Sequence, residues 1–308
     1  MNYTVGVDTL TLQTNFTNNH QQQEVMYNII GALLSTYNLQ VRYNTNIHKK
    51  GLLIHSIYTA GSKILELKSG SYPSGLIKDN KRVILFFISI EFAGLKRYNN
   101  KIDEISNNCL KRVVAYLNTN SIRFDISSLD IYVDLFTKIN YTYAFCNKKA
   151  AGVKYYSVND RQPYLSTHYI EKFNNTHNRV MKRAYLYDKS FKENNINCNI
   201  TRFELKLQSN FFNRHSFIQG VLKKELDRYH ILYFLTLKEK RSVLDYYAQY
   251  ENTIRRRDLH KLRLDRYRIY PDTSEIECFL TELYNVYEHD LKLPVEEVDN
   301  SWIDELFV

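Results

Sequence analysis

The chain has 308 residues, 44% of them hydrophobic and 24% charged, with a formal net charge of +9. That length suits about two domains with a sizeable core, and no apolar run is long enough to predict a membrane span. Cys109, Cys146, Cys198 and Cys278 are scattered with no C-x-x-C pair, which argues against a zinc ribbon or a disulfide framework and for a reducing, cytoplasmic compartment.

The positive charge suits a polyanionic partner. Met1 to Asn15 lacks a charged n-region and an apolar h-region, so no signal peptide is expected. Tyr3 to Gln13 alternates as a strand. Asn18 or Asn19 is placed to cap a helix running to about Tyr37, with Val25, Met26, Ile29, Ile30, Leu33 and Leu34 on one face. Strands are predicted at about 51–58 and 62–68, and the apolar stretch KRVILFFISIEF (81–92) reads as a central strand. A second amphipathic helix is predicted over 101–118, then a strand over 128–136. The resulting order, β-α-β-β-β-α-β, predicts an α+β fold with a ferredoxin-like or RRM-like palm and an extended antiparallel sheet. Further strands are expected from 152 to 209 and a mainly helical region beyond 210. The predicted division is a palm over 1–210 and an accessory region over 211–308.

Four strands share one division of labour. In SLDIYVDLF (128–136), Leu129, Ile131, Val133 and Leu135 take one face, and Asp130, Tyr132 and Asp134 the other. The two carboxylates are about 7 Å apart by strand rise. In TRFELKLQ (201–208), Arg202, Glu204, Lys206 and Gln208 oppose Phe203, Leu205 and Leu207. In FISIEF (87–92), Ser89 and Glu91 oppose Ile88, Ile90 and Phe92. In RAYLYDK (183–189), Arg183, Tyr185, Tyr187 and Lys189 share a face. Any one such strand reads as half-exposed and ordinary. Together they concentrate carboxylates, cations and phenols, and clustered like charges cost stability unless something offsets them. A divalent cation would offset Asp130, Asp134 and Glu204, and hard oxygen ligands suit Mg²⁺ or Mn²⁺. A phenol, with an ordinary pKa near ~10, is a poor nucleophile at neutral pH, and nearby Arg183, Lys189 or Arg202 would favour its ionised form. Such a cluster suits cleavage of a DNA strand with retention of its end as a phosphotyrosine ester. That transesterification needs no ATP, and no P-loop pattern occurs.

These motifs resemble those of the Rep_trans (replication initiation factor) family, the rolling-circle initiators of plasmids, filamentous phages and conjugative elements. The resemblance covers roughly residues 80–210. It rests on Ser89-Ile90-Glu91-Phe92, Leu129-Asp130-Ile131-Tyr132-Val133-Asp134, Tyr185-Leu186-Tyr187-Asp188-Lys189 with Glu193, and Thr201-Arg202-Phe203-Glu204-Leu205. Ser128 and Tyr185 stand where the family usually carries arginine. The resemblance implies that Tyr187 is the nucleophile of a DNA-nicking and religating enzyme, with Tyr185 the alternative. It implies that Asp130, Asp134, Glu204 and Glu91 hold Mg²⁺ or Mn²⁺, and that Arg202, Arg183 and Lys189 neutralise the phosphate. Asp8 resembles an acidic position of the first strand. Implied partners are a single-stranded or cruciform DNA origin, a helicase and polymerase of the host or element, and a second copy of the chain, in the cytoplasm of a bacterial host. No membrane partner is expected.

Two other readings share the pattern. One is a non-catalytic nucleic-acid binder whose Tyr132, Tyr185 and Tyr187 stack on bases. The other is a metal-dependent primase or polymerase palm. No His-h-His pair occurs, so the histidine-ligated class of nickase is not indicated. His260-x-x-Arg263 matches a recombinase box, a pattern that charge-rich helices produce by chance. The basic run RRRDLHKLRLDRYR (255–268) offers Arg256, Arg257, Lys261 and Arg263 as phosphate contacts.

Overall fold

Asn18 and Asn99 start two of the long helices. Each accepts a hydrogen bond from a backbone N–H of the first turn, Asn18 from His20 at 2.7 Å and Asn99 from Ile102 at 3.3 Å. The structure, a computed structural model, describes residues 2–45, 52–78, 81–146, 167–171, 182–193, 198–212, 220–249 and 264–291. The chain forms two compact units: an N-terminal unit of 9–128 with 279–308, and a central unit of 129–278 with 1–8.

In the N-terminal unit the sheet order is β2 (Gln40–Thr45), β3 (Leu53–Thr59), β4 (Ser62–Lys78), β5 (Lys81–Ala93) and β1 (Tyr3–Phe16, from Thr9 onward). The pairs β2–β3, β3–β4, β4–β5 and β1–β5 are all antiparallel. Helices α1 (Asn19–Leu34) and α2 (Asn100–Thr119) contact each other, and both contact this sheet. Val25, Met26, Ile29, Ile30 and Leu33 of α1 are buried, as are Leu10, Leu12, Leu65, Leu67, Ile88, Ile90 and Phe92 of the strands. Gln22 donates to the carbonyls of Gly70 at 2.9 Å and Phe87 at 2.6 Å, fixing α1 on β4 and β5. Ala60 and Gly61 both have positive φ, 45° and 79°, and make the two-residue turn between β3 and β4. This is the extended antiparallel sheet with helices expected of an α+β fold, enlarged by the hairpin partner β2, which has no apolar alternation strong enough to announce it.

In the central unit β6 (Asp125–Leu135, from Leu129), β10 (Thr201–Gln208), β9 (Lys182–Asp188) and β8 (Thr167–Glu171) are successive neighbours, with the start of β1 beside β6. β9 pairs antiparallel with both β8 and β10. One face is apolar: Leu129, Ile131, Val133, Leu135, Ala184, Leu186, Phe203, Leu205 and Leu207 are all buried. Phe203 meets Tyr229 with ring centroids 5.4 Å apart. Tyr229 begins β11 (Tyr229–Tyr233), the middle strand between β7 (Thr142–Cys146) and β12 (Arg268–Ile269). Phe145, Leu232, Phe234, Leu264 and Tyr267 form a core cluster here.

The region beyond 210 is helical in α5 (Val221–Leu226), α6 (Leu237–Gln249) and α7 (Ser274–Leu291), after the short helices α3 (Lys189–Lys192) and α4 (Ser209–Phe212). It also supplies β11 and β12. Because β11 pairs with β7, segments on either side of residue 210 share one small sheet. The compact units therefore do not part at 210. No helix among the described residues is long and apolar enough to cross a membrane.

Phe203 has no exposed surface and packs on Tyr229 across the apolar face. Phe203→Ala is expected to destabilise the central unit by about 3–5 kcal/mol, read as a lowered urea midpoint.

Candidate active site

The other face of the central sheet is polar, and it is buried too. The antiparallel register sets Tyr187 opposite Arg202, Tyr185 opposite Glu204 and Arg183 opposite Lys206. Arg202, the second residue of β10, has no exposed surface. Its Nε and Nη2 donate to the two carboxylate oxygens of Asp134, each at 2.7 Å, and its Nη1 donates to Asp8. Its guanidinium carbon lies 4.3 Å from the centroid of the Tyr132 ring. Beyond that ring lies β1 at Gly6, where a Cβ would sit 2.6 Å from the Tyr132 hydroxyl. Burial alone would lower the pKa of the guanidinium. The hydrogen bonds that Arg202 donates to Asp134 and the charges of Asp8 and Asp134 overcome that and hold it well above its ordinary value.

Glu204 accepts from both phenols of β9. The Tyr187 hydroxyl donates to Oε2 at 2.9 Å and the Tyr185 hydroxyl donates to Oε1. The two rings stack with centroids 5.7 Å apart. The expected cationic activation of the phenol is not what this geometry produces. Burial pushes the Tyr187 pKa well up, the charge of Arg202 opposes it, and the charges of Asp8 and Asp134 add to it. A hydrogen bond with Arg202 also favours the ionised oxygen but does not reverse the balance. Tyr187 is therefore a neutral donor at physiological pH, set between a carboxylate and a guanidinium.

β9 ends at Asp188, whose side chain accepts from Phe191 N at 2.9 Å and caps α3. Lys189 turns inward, is 2% exposed, and donates to Glu193 at 3.0 Å. Burial lowers its pKa, the charge of Arg202 lowers it further, and Asp8 and Glu193 oppose the shift. It is thus not the free phosphate-neutralising cation that the sequence suggested. Lys192, one helical turn on, is exposed and lies over the Tyr187 ring, with Nζ 4.9 Å from the centroid. Sequence reading missed it; its signal was the spacing of three residues from Lys189 after a capping aspartate.

The expected metal ligands do not assemble as one set. Asp134 is taken up by Arg202, Asp130 accepts from Lys206 at 3.0 Å, and Glu204 faces the two phenols. Glu91 belongs to the N-terminal unit, where Lys68 bridges it at 3.2 Å and Glu66 at 2.7 Å. Burial alone would raise the Glu66 carboxyl, but Lys63 and Lys68 hold it down to about 2. Among the described residues no three Asp, Glu, His or Cys side chains gather as a metal-binding group. Asp130, Asp134 and Glu204 do not fit a Mg²⁺ or Mn²⁺ ion as a joint ligand set, because buried Arg202 offsets Asp134, half-buried Lys206 offsets Asp130, and the two phenols hold Glu204. The open aromatic platform is not formed either: Tyr132 lies under Arg202, and only 4% of Tyr187 is exposed. The Arg183 side chain, and Arg256, Arg257, Lys261 and Arg263, lie outside the described residues.

Removing the guanidinium leaves the wholly buried Asp134 uncompensated. Arg202→Met is expected to cost about 3–5 kcal/mol in denaturant unfolding at neutral pH. Tyr187 also makes a pH prediction. Its folded pKa lies above the unfolded value of about 10, so its stabilising contribution is full below that pH and falls as pH rises beyond it. Tyr187→Phe should show a shallower loss of stability than the parent chain between neutral and strongly alkaline pH, measured by urea midpoints.

No protein-family model matches the chain, and no curated protein does. Among solved structures it is similar to the rolling circle replication initiator protein from Geobacillus stearothermophilus. The identity is 15%, the TM-score 0.40, and the match covers 75% of this chain and 87% of that one.

Proposed function

We propose that this protein initiates rolling-circle replication by nicking and rejoining a DNA strand through Tyr187. The observation that carries the reading is the Tyr187 hydroxyl donating at 2.9 Å to Glu204, with Arg202 opposite on the neighbouring strand. The order of the four motifs in the sequence supports it. A neutral phenol needs a base at the moment of attack, and Glu204 is within proton-transfer reach. In this reading Tyr187 Oη attacks the scissile phosphorus as its proton passes to Glu204. The P–O3′ bond breaks, the 3′ oxygen takes up a proton, and the 5′-phosphate stays on Tyr187.

Tyr185, donating to the other oxygen of the same carboxylate, orients the base. Arg202 stabilises the phenolic oxygen as it loses its proton. Lys192, exposed over the Tyr187 ring, is placed to meet the incoming phosphate. The buried hydroxyl has to be uncovered before a phosphodiester reaches it, so a local opening precedes the chemistry. The freed 3′-OH serves a polymerase of the host or element, with a helicase as further partner and a second copy of the chain to complete strand transfer. No step is assigned to a metal.

Single-stranded DNA tiled from the flanks of the coding sequence, incubated with the chain in Mg²⁺ and separately in Mn²⁺, should give a denaturation-resistant protein–DNA band. Tyr187→Phe should abolish it. Tyr185→Phe should keep it, and Glu204→Gln should slow its formation by about 10²–10⁴-fold. A band that survives Tyr187→Phe and disappears in Tyr185→Phe moves the nucleophile one strand repeat back.

A further inference from the structure

The central unit carries a second feature that the nicking chemistry does not use. A cavity of about 680 Å³ opens beside β11 and β12, lined by Tyr3, Tyr233, Tyr267, Tyr270, Arg266 and Arg268 among others. Its volume is within the ~300–1,000 Å³ of small-ligand sites. Two arginine–tyrosine stacks shape it. The Arg266 guanidinium carbon is 4.5 Å from the Tyr267 ring centroid, and that of Arg268 is 4.7 Å from the Tyr270 ring centroid.

The wall is fixed. Tyr267 is buried against Phe234, with centroids 4.8 Å apart. The Tyr3 hydroxyl donates to the Tyr270 carbonyl at 3.0 Å, and Arg268 donates to the Asp227 carbonyl at 2.8 Å. The nearby acids face phenols: Glu239 accepts from Tyr267 at 3.3 Å and Asp265 from Tyr270 at 3.5 Å. Tyr270, in contrast, is 54% exposed.

We infer that this groove binds single-stranded DNA, with an unpaired base stacked on Tyr270 and the adjoining phosphates held by Arg266 and Arg268. Rigid aromatic faces beside fixed cations are what a base-and-phosphate ligand needs, and stacking tolerates any base sequence. A duplex would not serve, because its bases are already stacked on each other. The groove holds the strand whether or not Tyr187 cleaves it.

The test uses the full chain and a short thymidine oligomer with one 5-iodouracil, irradiated and mapped by peptide mass. The crosslink should fall on Tyr270 or Tyr267. Tyr270→Ala should weaken binding of the unsubstituted oligomer about tenfold, and Tyr270→Phe should hold it within about twofold. An abasic oligomer should bind the parent and Tyr270→Ala alike. Arg266→Gln should reduce the salt slope of log affinity by about one. The Tyr270 side chain is exposed and its carbonyl survives substitution, so these variants keep the fold, checked by an unchanged thermal midpoint. A crosslink mapped elsewhere, or equal affinity of parent and Tyr270→Ala, overturns the proposal. Adduct formation on the same preparations is scored separately: adduct without a groove crosslink removes the groove and leaves nicking, and the converse removes nicking alone.

Discussion

The site depends on one buried guanidinium. Arg202 forks over Asp134, reaches Asp8 and lies flat on Tyr132, so a single β10 side chain holds groups from β6 and the start of β1. A charge without exposed surface persists only when its partners replace the water it has lost. Here planarity matters as much as charge: the two 2.7 Å bonds to Asp134 require a fork, which a lysine ammonium lacks. The same cation explains why the polar face tolerates several carboxylates at close quarters.

The Tyr187 environment follows from that commitment. A guanidinium already shared between Asp134 and Asp8 brings little net positive charge to the phenol, so burial governs its protonation. Under the proposed nicking reaction, the Tyr187 proton would pass to a positioned carboxylate rather than leave a standing phenolate. Glu204 suits that role because Tyr185 and Tyr187, two residues apart on one strand, point to the same side and meet its two oxygens.

Much of this was legible in the strand alternation. The pattern placed Asp130, Tyr132 and Asp134 on one face of β6 and Arg202, Glu204 and Lys206 on one face of β10. The apolar partners of each set are buried as the period of two requires. Partner choice was not legible. Alternation fixes a face but not a register, and register sets Arg202 beside Tyr187 and Glu204 beside Tyr185. Nor does it say that a polar face will be covered, which is why a metal looked necessary where Arg202 and Lys206 do the neutralising. β7, β11 and β12 were missed because they are short, five residues or fewer, and pair across long stretches of chain. Lys192 was missed because its place depends on α3 turning back over the tyrosine ring.

Gly6 has a consequence of another kind. The Tyr132 ring lies so near this residue that even a methyl group would meet its hydroxyl at 2.6 Å. Any bulkier residue there would tip the ring and, with it, the plane on which Arg202 rests. Genetic screens for lost activity should therefore recover lesions at a strand position that bears no chemistry of its own. What limits substitution there is the shape of a neighbour rather than any task of the glycine.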